Sequence, residues 1–228
     1  MIEDKSSIRL IDMEVQELTT VATVGQLNIQ DPRSLCWSLT GDTLFVSNYS
    51  NGDSPIVVTM LLRSEGFKKA HSLFSGYKWV ISATIHPQTG DIYFAQESDA
   101  TIKRYNMATK EVETMFSVGG NWIWMYVYFH PSGDFAYLMR PREGTIFKCQ
   151  FNKTTNWLEL PSIYVGNWNQ GYNEGVGTNV RMGVMWQGTF VKNEKYIEQH
   201  KDDIYDFYVA DGESVSYTHL RAHETAAN

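Results

Sequence analysis

Three short segments put tryptophan and tyrosine beside glycine. They are Gly76–Val80 (GYKWV), Gly119–Met125 (GGNWIWM) and Gly166–Tyr172 (GNWNQGY). They carry Tyr77 and Trp79, Trp122 and Trp124, and Trp168 and Tyr172. A flat indole face suits a sugar ring or a partner's aromatic side chain, and Trp covers much area while losing little rotamer freedom. Trp79 and Trp124 lead directly into apolar runs, as residues packed between structural units would. Trp122 and Trp168 stand open to either role, packing or ligand contact. A second set of polar groups follows other apolar runs: Asn51 and Asp53, Glu97 and Asp99, and Arg140 and Arg142 in MRPREG. The two arginines could clamp a carboxylate or donate to sugar hydroxyls in a forked geometry, although a solvated loop pair is the simpler account. His86 and His130 each precede Pro, and Asp42, Asp91 and Asp134 each follow Gly. Repetition in register points to turn chemistry for these residues. No G-x-S-x-G, H-E-x-x-H, phosphate loop or CxxC pair is present, so neither cofactor nor metal is expected.

The elements that must position these residues emerge from internal repetition. Shifted from residue 8 to residue 102, Ile8–Gly25 overlies Ile102–Gly119 without a gap, and Ile, Met, Glu, Thr, Val and Gly coincide at Ile8, Met13, Glu17, Thr20, Val24 and Gly25. Within that interval a Gly-Asp pair recurs before an apolar run: Gly41-Asp42 before LFVSN, Gly90-Asp91 before IYFAQ, and Gly133-Asp134 before Phe135–Met139. A period in the forties with period-two alternation, rather than a 3.6-residue pattern, is the signature of a β-propeller blade. Each unit reads as four short strands, A to D, with turns such as His86–Asp91 between A and B. The expectation is an all-β β-propeller fragment, about four of six four-stranded blades. It comprises a half blade at 7–25, blades at about 31–75, 80–118 and 125–165, and a half blade at about 180–211. In the last of these, strand A is expected at Gly183–Gln187 and strand B at Phe207–Ala210, with a polar insertion at Ile197–Asp203. In this architecture the D–A and B–C loops emerge on one face, which would bring the tryptophans and the polar groups to a common rim.

Composition narrows the partners. The 228 residues hold 19 Lys+Arg against 26 Asp+Glu, a formal net charge of −7, with 43% hydrophobic and 14% aromatic residues. Such a chain can bury a core, and its charge disfavours nucleic acid and anionic lipid. No apolar run is long enough for a membrane span, and Met1–Asp12 lacks the order of a signal peptide. Cys36 and Cys149 each lie in an apolar strand-like run and read as two buried thiols rather than a disulfide. From Val215 the sequence VSYTHLRAHETAAN leaves the blade pattern. It closely resembles the peptide made when a sequencing adapter is translated in frame, the alternative being a terminus without structure. His219 and His223 are therefore not read as a metal pair.

Three passages carry a family resemblance: the strand B runs FVSN (Phe45–Asn48) and FYVAD (Phe207–Asp211), the run IKRYNMATKEVET (Ile102–Thr114), and the glycine-rich VGNWNQGYNEGVGTNVRM (Val165–Met182). The chain resembles NHL-repeat six-bladed propellers of bacterial surface proteins that carry an IPT/TIG immunoglobulin-like domain. Glu174 stands where that family more often has Asp in its glycine-rich linker. The resemblance implies a secreted or surface-anchored parent protein, its signal on a preceding segment, that acts as a non-enzymatic binding or scaffold module for a glycan or a protein. Six-bladed propellers also include gluconolactonase-like hydrolases and amidating lyases with a divalent metal, which makes a metal-dependent enzyme the alternative. His86 and His130 argue weakly for it, since both fall on the A–B turns, opposite the rim.

Overall fold

The computed structural model describes residues 7–29, 31–49, 58–120, 122–194 and 205–212, and the backbone of 217–221. Contacts divide the chain into two compact units, Met1–Val127 and Tyr128–Asn228. It is an all-β β-propeller fragment built of antiparallel sheets. Asn51, Asp53, the expected insertion at Ile197–Asp203 and His223 lie outside the described residues.

The first unit opens with the hairpin β1 (Ser7–Asp12) and β2 (Glu17–Thr23), the expected half blade, followed by a short helix α1 (Val24–Leu27). Sequence reading extended strand D through Val24. Instead Thr23 and Gln26 form a capping box, with Gln26 N–H donating to Thr23 Oγ1 at 3.3 Å and Thr23 N–H to Gln26 Oε1 at 3.0 Å. This satisfies two orphan amides and turns Val24 and Leu27 into the core. A full blade follows, with β3 (Pro32–Trp37), β4 (Thr43–Asn48), β5 (Val58–Leu62) and β6 (Ala70–Phe74) in sequential order. The next blade repeats it with β7 (Val80–Ile85), β8 (Ile92–Gln96), β9 (Thr101–Tyr105) and β10 (Val112–Ser117). Strands B are near-continuous apolar runs because both faces are covered: β4 and β8 are buried along almost their whole length. Phe45 and Val58 of one blade pack with Val80, Ala83, Ile92 and Phe94 of the next. Ser34 stitches the two blades as well, its hydroxyl accepting from Ala83 N–H at 2.8 Å.

A blade of five segments then runs β11 (Tyr126–Phe129), β12 (Phe135–Arg140), β13 (Thr145–Asn152), β14 (Trp157–Leu158) and β15 (Ser162–Val165). The sequence suggested one strand D over Trp157–Val165. It is broken between Leu158 and Ser162, where Pro161 has no N–H to give to a ladder. In the last sheet β16 (Met185–Lys192) pairs with β17 (Tyr205–Asp211), and β17 with β18 (Tyr217–Arg221). Strand A is thus longer than expected. The backbone of Tyr217–Arg221 occupies a strand C position inside the segment expected to be a stray or structureless tail.

The A–B turns share one design. Ser38, His86 and His130 each donate their amide across the turn, to Thr43, Asp91 and Phe135 carbonyls at 2.8, 2.9 and 2.9 Å. His86 Nδ1 accepts from Gln88 and Thr89 amides, and His130 Nδ1 from Ser132 N–H. Both imidazoles are buried turn caps. The repeated aspartates are structural too. Asp42 Oδ1 accepts from Ser38 and Thr43 hydroxyls, Asp91 Oδ1 from Met107 N–H, and Asp134 pairs with Lys153 at 2.5 Å.

Candidate functional site

The D–A linkers hold their aromatics in an unusual backbone state. Trp79, Trp122 and Trp168 have φ of 58°, 61° and 68°, the left-handed region. Bulky residues rarely adopt it, and it costs on the order of 1–3 kcal/mol unless the surroundings impose it. Trp79 and Trp122 each lie five residues beyond the last residue of strand D, Phe74 and Ser117. Asn28, with φ 52°, lies five beyond Thr23 at the end of β2. Asn accepts this geometry with little strain, so the tryptophans are a costly choice at a position where a cheaper one exists. The linkers are tied down locally. Glu97 N–H donates to Trp79 O at 2.9 Å, Ile123 N–H to Glu97 O at 3.3 Å, and Trp168 N–H to Thr145 Oγ1 at 3.0 Å.

In the first unit these linkers meet the B–C loops of two blades. Arg33, Tyr49, Trp79 and Trp122 form a continuous row. The Arg33 guanidinium lies 4.7 Å from the Tyr49 ring centre, Tyr49 is 4.8 Å from Trp79, and Trp79 is 5.4 Å from Trp122, both ring pairs edge-to-face. Trp122 ends the row with 56% of its surface exposed. Beneath lies the buried carboxylate of Glu97, which accepts from Tyr49 OH at 2.6 Å through one oxygen and from Trp124 Nε1 at 2.7 Å through the other. Burial first, and the Glu97 carboxylate second, push the Tyr49 hydroxyl up to about 12, so it stays a neutral donor. Arg33, Tyr49, Ile81, Trp124 and Tyr126 line an open cleft of about 190 Å³ including its mouth. Its enclosed space admits about one water molecule, so a ligand would lie across its mouth rather than inside it. Arg33 also pairs with Asp31 at 2.6 Å.

In the second unit Trp168 is 46% exposed, packs edge-to-face on Phe147 at 5.5 Å, and lies 4.5 Å from the Arg140 guanidinium. Arg140 is therefore no free clamp. It is the last residue of β12, 5% exposed, and bonded to Glu143 Oε1 at 3.0 Å. Stacking under the indole and pairing with Glu143 offset part of its burial, while Arg140 Nε and Glu143 Oε2 remain buried without a hydrogen-bond partner. Arg142 is exposed, and its carbonyl accepts from Gln170 Nε2. Tyr172 is 58% exposed and donates to Glu174.

The other expected rim residues divide by burial. Tyr77 is half-buried and packs edge-to-face on Phe74 and Phe94, against the core of its blade. Asp99 accepts from Thr101 Oγ1 at 2.6 Å and pairs with Lys103. Trp79 and Trp124 are half-buried supports for the cleft. Sequence reading missed Tyr49, Arg33, Asp31 and Tyr126; the one available signal was that Tyr49 follows strand B at the same offset as Glu97. Among the described residues no group of three or more His, Cys, Asp or Glu could hold a metal ion.

No protein-family model matches the chain, and no curated protein matches it. Solved structures do. An auxiliary nutrient binding protein from Bacteroides thetaiotaomicron superposes with a TM-score of 0.87 at 29% identity, over 97% of this chain and 51% of its own. One from Bacteroides ovatus gives 0.86 at 27%, over 96% and 50%. A candidate phosphatase from Bacteroides thetaiotaomicron gives 0.86 at 20%, over 96% and 53%, a likeness of fold alone. The chain spans about half the length of these proteins.

Proposed function

We propose that this chain belongs to a non-enzymatic binding propeller of the bacterial surface and contacts a glycan through its aromatic rim. The observation that carries the reading is the row Arg33, Tyr49, Trp79 and Trp122. It ends in an exposed indole held on left-handed backbone, an arrangement that core packing does not require. Two neighbours named as nutrient binding proteins, at 29% and 27% identity, support a binding role and a location outside the cell. The resemblance to NHL-type surface propellers adds an IPT/TIG domain and further blades in the parent protein. No helix among the described residues is long and apolar enough to cross a membrane.

Glycan-array binding with and without EDTA, beside the double variant Trp122→Ala and Trp168→Ala, tests the proposal. Binding that survives EDTA and is lost in the variant supports it. Binding abolished by EDTA with the tryptophans irrelevant would redirect the search to a metal-dependent activity, and capture of protein rather than glycan would replace the ligand class.

A further inference from the structure

We propose that the rim of the first unit selects neutral sugars over acidic ones, stacking one pyranose ring on Trp122 and reading vicinal hydroxyls with the Arg33–Asp31 pair; this rests on the glycan-binding reading above. Arg33 and Asp31 side chains are 40% and 49% exposed and joined at 2.6 Å. The guanidinium lies over the Tyr49 ring, 4.7 Å from its centre. A guanidinium has five N–H donors and a carboxylate about four acceptor sites, and the bond from Arg33 to Asp31 uses one of each. Donor and acceptor therefore stand side by side, the complement of two adjacent hydroxyls, each of which donates and accepts. The apolar complement is the indole of Trp122 at the other end of the row.

Charge sets the selectivity. Asp31 compensates the Arg33 cation, and the Glu97 carboxylate lies directly under Tyr49. The whole chain carries −7. At this end of the row a uronate or sulfated sugar would meet a guanidinium already paired with a carboxylate, and beyond it the field of a chain of net charge −7, whereas a neutral ring loses nothing to either. Glu97 itself is a positioning residue: both oxygens are committed to Tyr49 and Trp124.

The test is calorimetric titration of the chain with neutral gluco-, manno- and xylo-oligosaccharides and with an oligogalacturonide. The expected result is binding of a neutral oligosaccharide that is insensitive to added salt and weakened about tenfold or more by Trp122→Ala and by Arg33→Met, with the oligogalacturonide unbound. Preferential, salt-sensitive binding of the oligogalacturonide, or neutral binding unchanged by Arg33→Met, would overturn this inference while leaving the glycan-binding reading in place. No binding of any saccharide would remove both.

Discussion

Trp122 holds φ at 61° with 56% of its surface in water, so its edge contact with Trp79 must be weighed against backbone strain. The contact contributes about 0.5–1.5 kcal/mol and the strain costs about 1–3 kcal/mol. Trp122→Asn, which adopts the residue found at Asn28, is therefore expected to change the unfolding free energy by less than about 1 kcal/mol while ligand binding is lost. A loss above about 2 kcal/mol in chemical denaturation would mean that Trp122 is a core residue. Glu97 behaves in the opposite way. Replacing it with Ala orphans the Tyr49 hydroxyl and the Trp124 N–H, so Glu97→Ala should cost about 2 kcal/mol, and Glu97→Gln, which keeps an acceptor, clearly less. Equal losses would show that volume rather than hydrogen bonding matters there. Cys149 is buried as expected and Cys36 is half-buried, and desolvation pushes both thiols up to about 12. Neither should react with a disulfide reagent at neutral pH until the protein unfolds.

At the scale of elements, the linker from β15 to β16 depends on close backbone approach. A Cβ on Gly166, at φ 92°, would meet the carbonyl of Gly144 and the Cα of Thr145, whose hydroxyl holds Trp168 N–H. Gly177, at φ 59°, has open space around it. Gly177→Ala should cost about 1 kcal/mol of conformational strain, and Gly166→Ala at least about 2 kcal/mol with displacement of Trp168. Thermal denaturation of the two variants, with Trp fluorescence as the local probe, separates the effects; similar midpoints would refute the close approach. Strands such as β3 and β11 were legible by their period-two alternation, strands B as short apolar runs after Gly-Asp, and the A–B turns because Gly and Pro mark them. The break in strand D at Pro161 was legible in principle, since Pro cannot serve a central ladder position. The helix α1 was not, because a capping box of Thr23 and Gln26 inside a β pattern is a weak local signal.

For the molecule as a whole, pH dependence follows from groups kept neutral in the fold. The hydroxyls of Tyr49 and Tyr93 are raised to about 12 from an ordinary 10, and the two thiols to about 12 from 9, burial being the largest cause in each case. A raised acid is protonated in the folded state where the unfolded chain has already ionised. Its contribution is thus complete below pH 9–10 and lost as pH rises toward 12. The acid limb has the other sign. Asp42 and Asp134 are lowered from 3.8, chiefly by the Ser38 hydroxyl and by Lys153, and their small surface contribution disappears as pH falls below that value. Urea midpoints across pH should show a plateau through neutrality and a decline from about pH 9 upward. A midpoint still rising at pH 11 would contradict the burial of these groups.

Legible in the chain alone were the blade repeat, the order of strands in the two full blades of the first unit, the structural role of the repeated aspartates and turn histidines, and the tryptophan-bearing linkers. These properties live in local periodicity and turn chemistry, which a single strand or turn expresses without its neighbours. Which aromatics form a surface was settled by packing between distant segments. Arg33, Tyr49, Trp79, Glu97, Trp122 and Trp124 come from five separate loops and strand ends, and no local rule states that one buried carboxylate joins two of them. The same packing laid Tyr77 half-buried against the core and Arg140 beneath Trp168, because a side chain's exposure depends on the adjacent strand and loop, not on its own residue type.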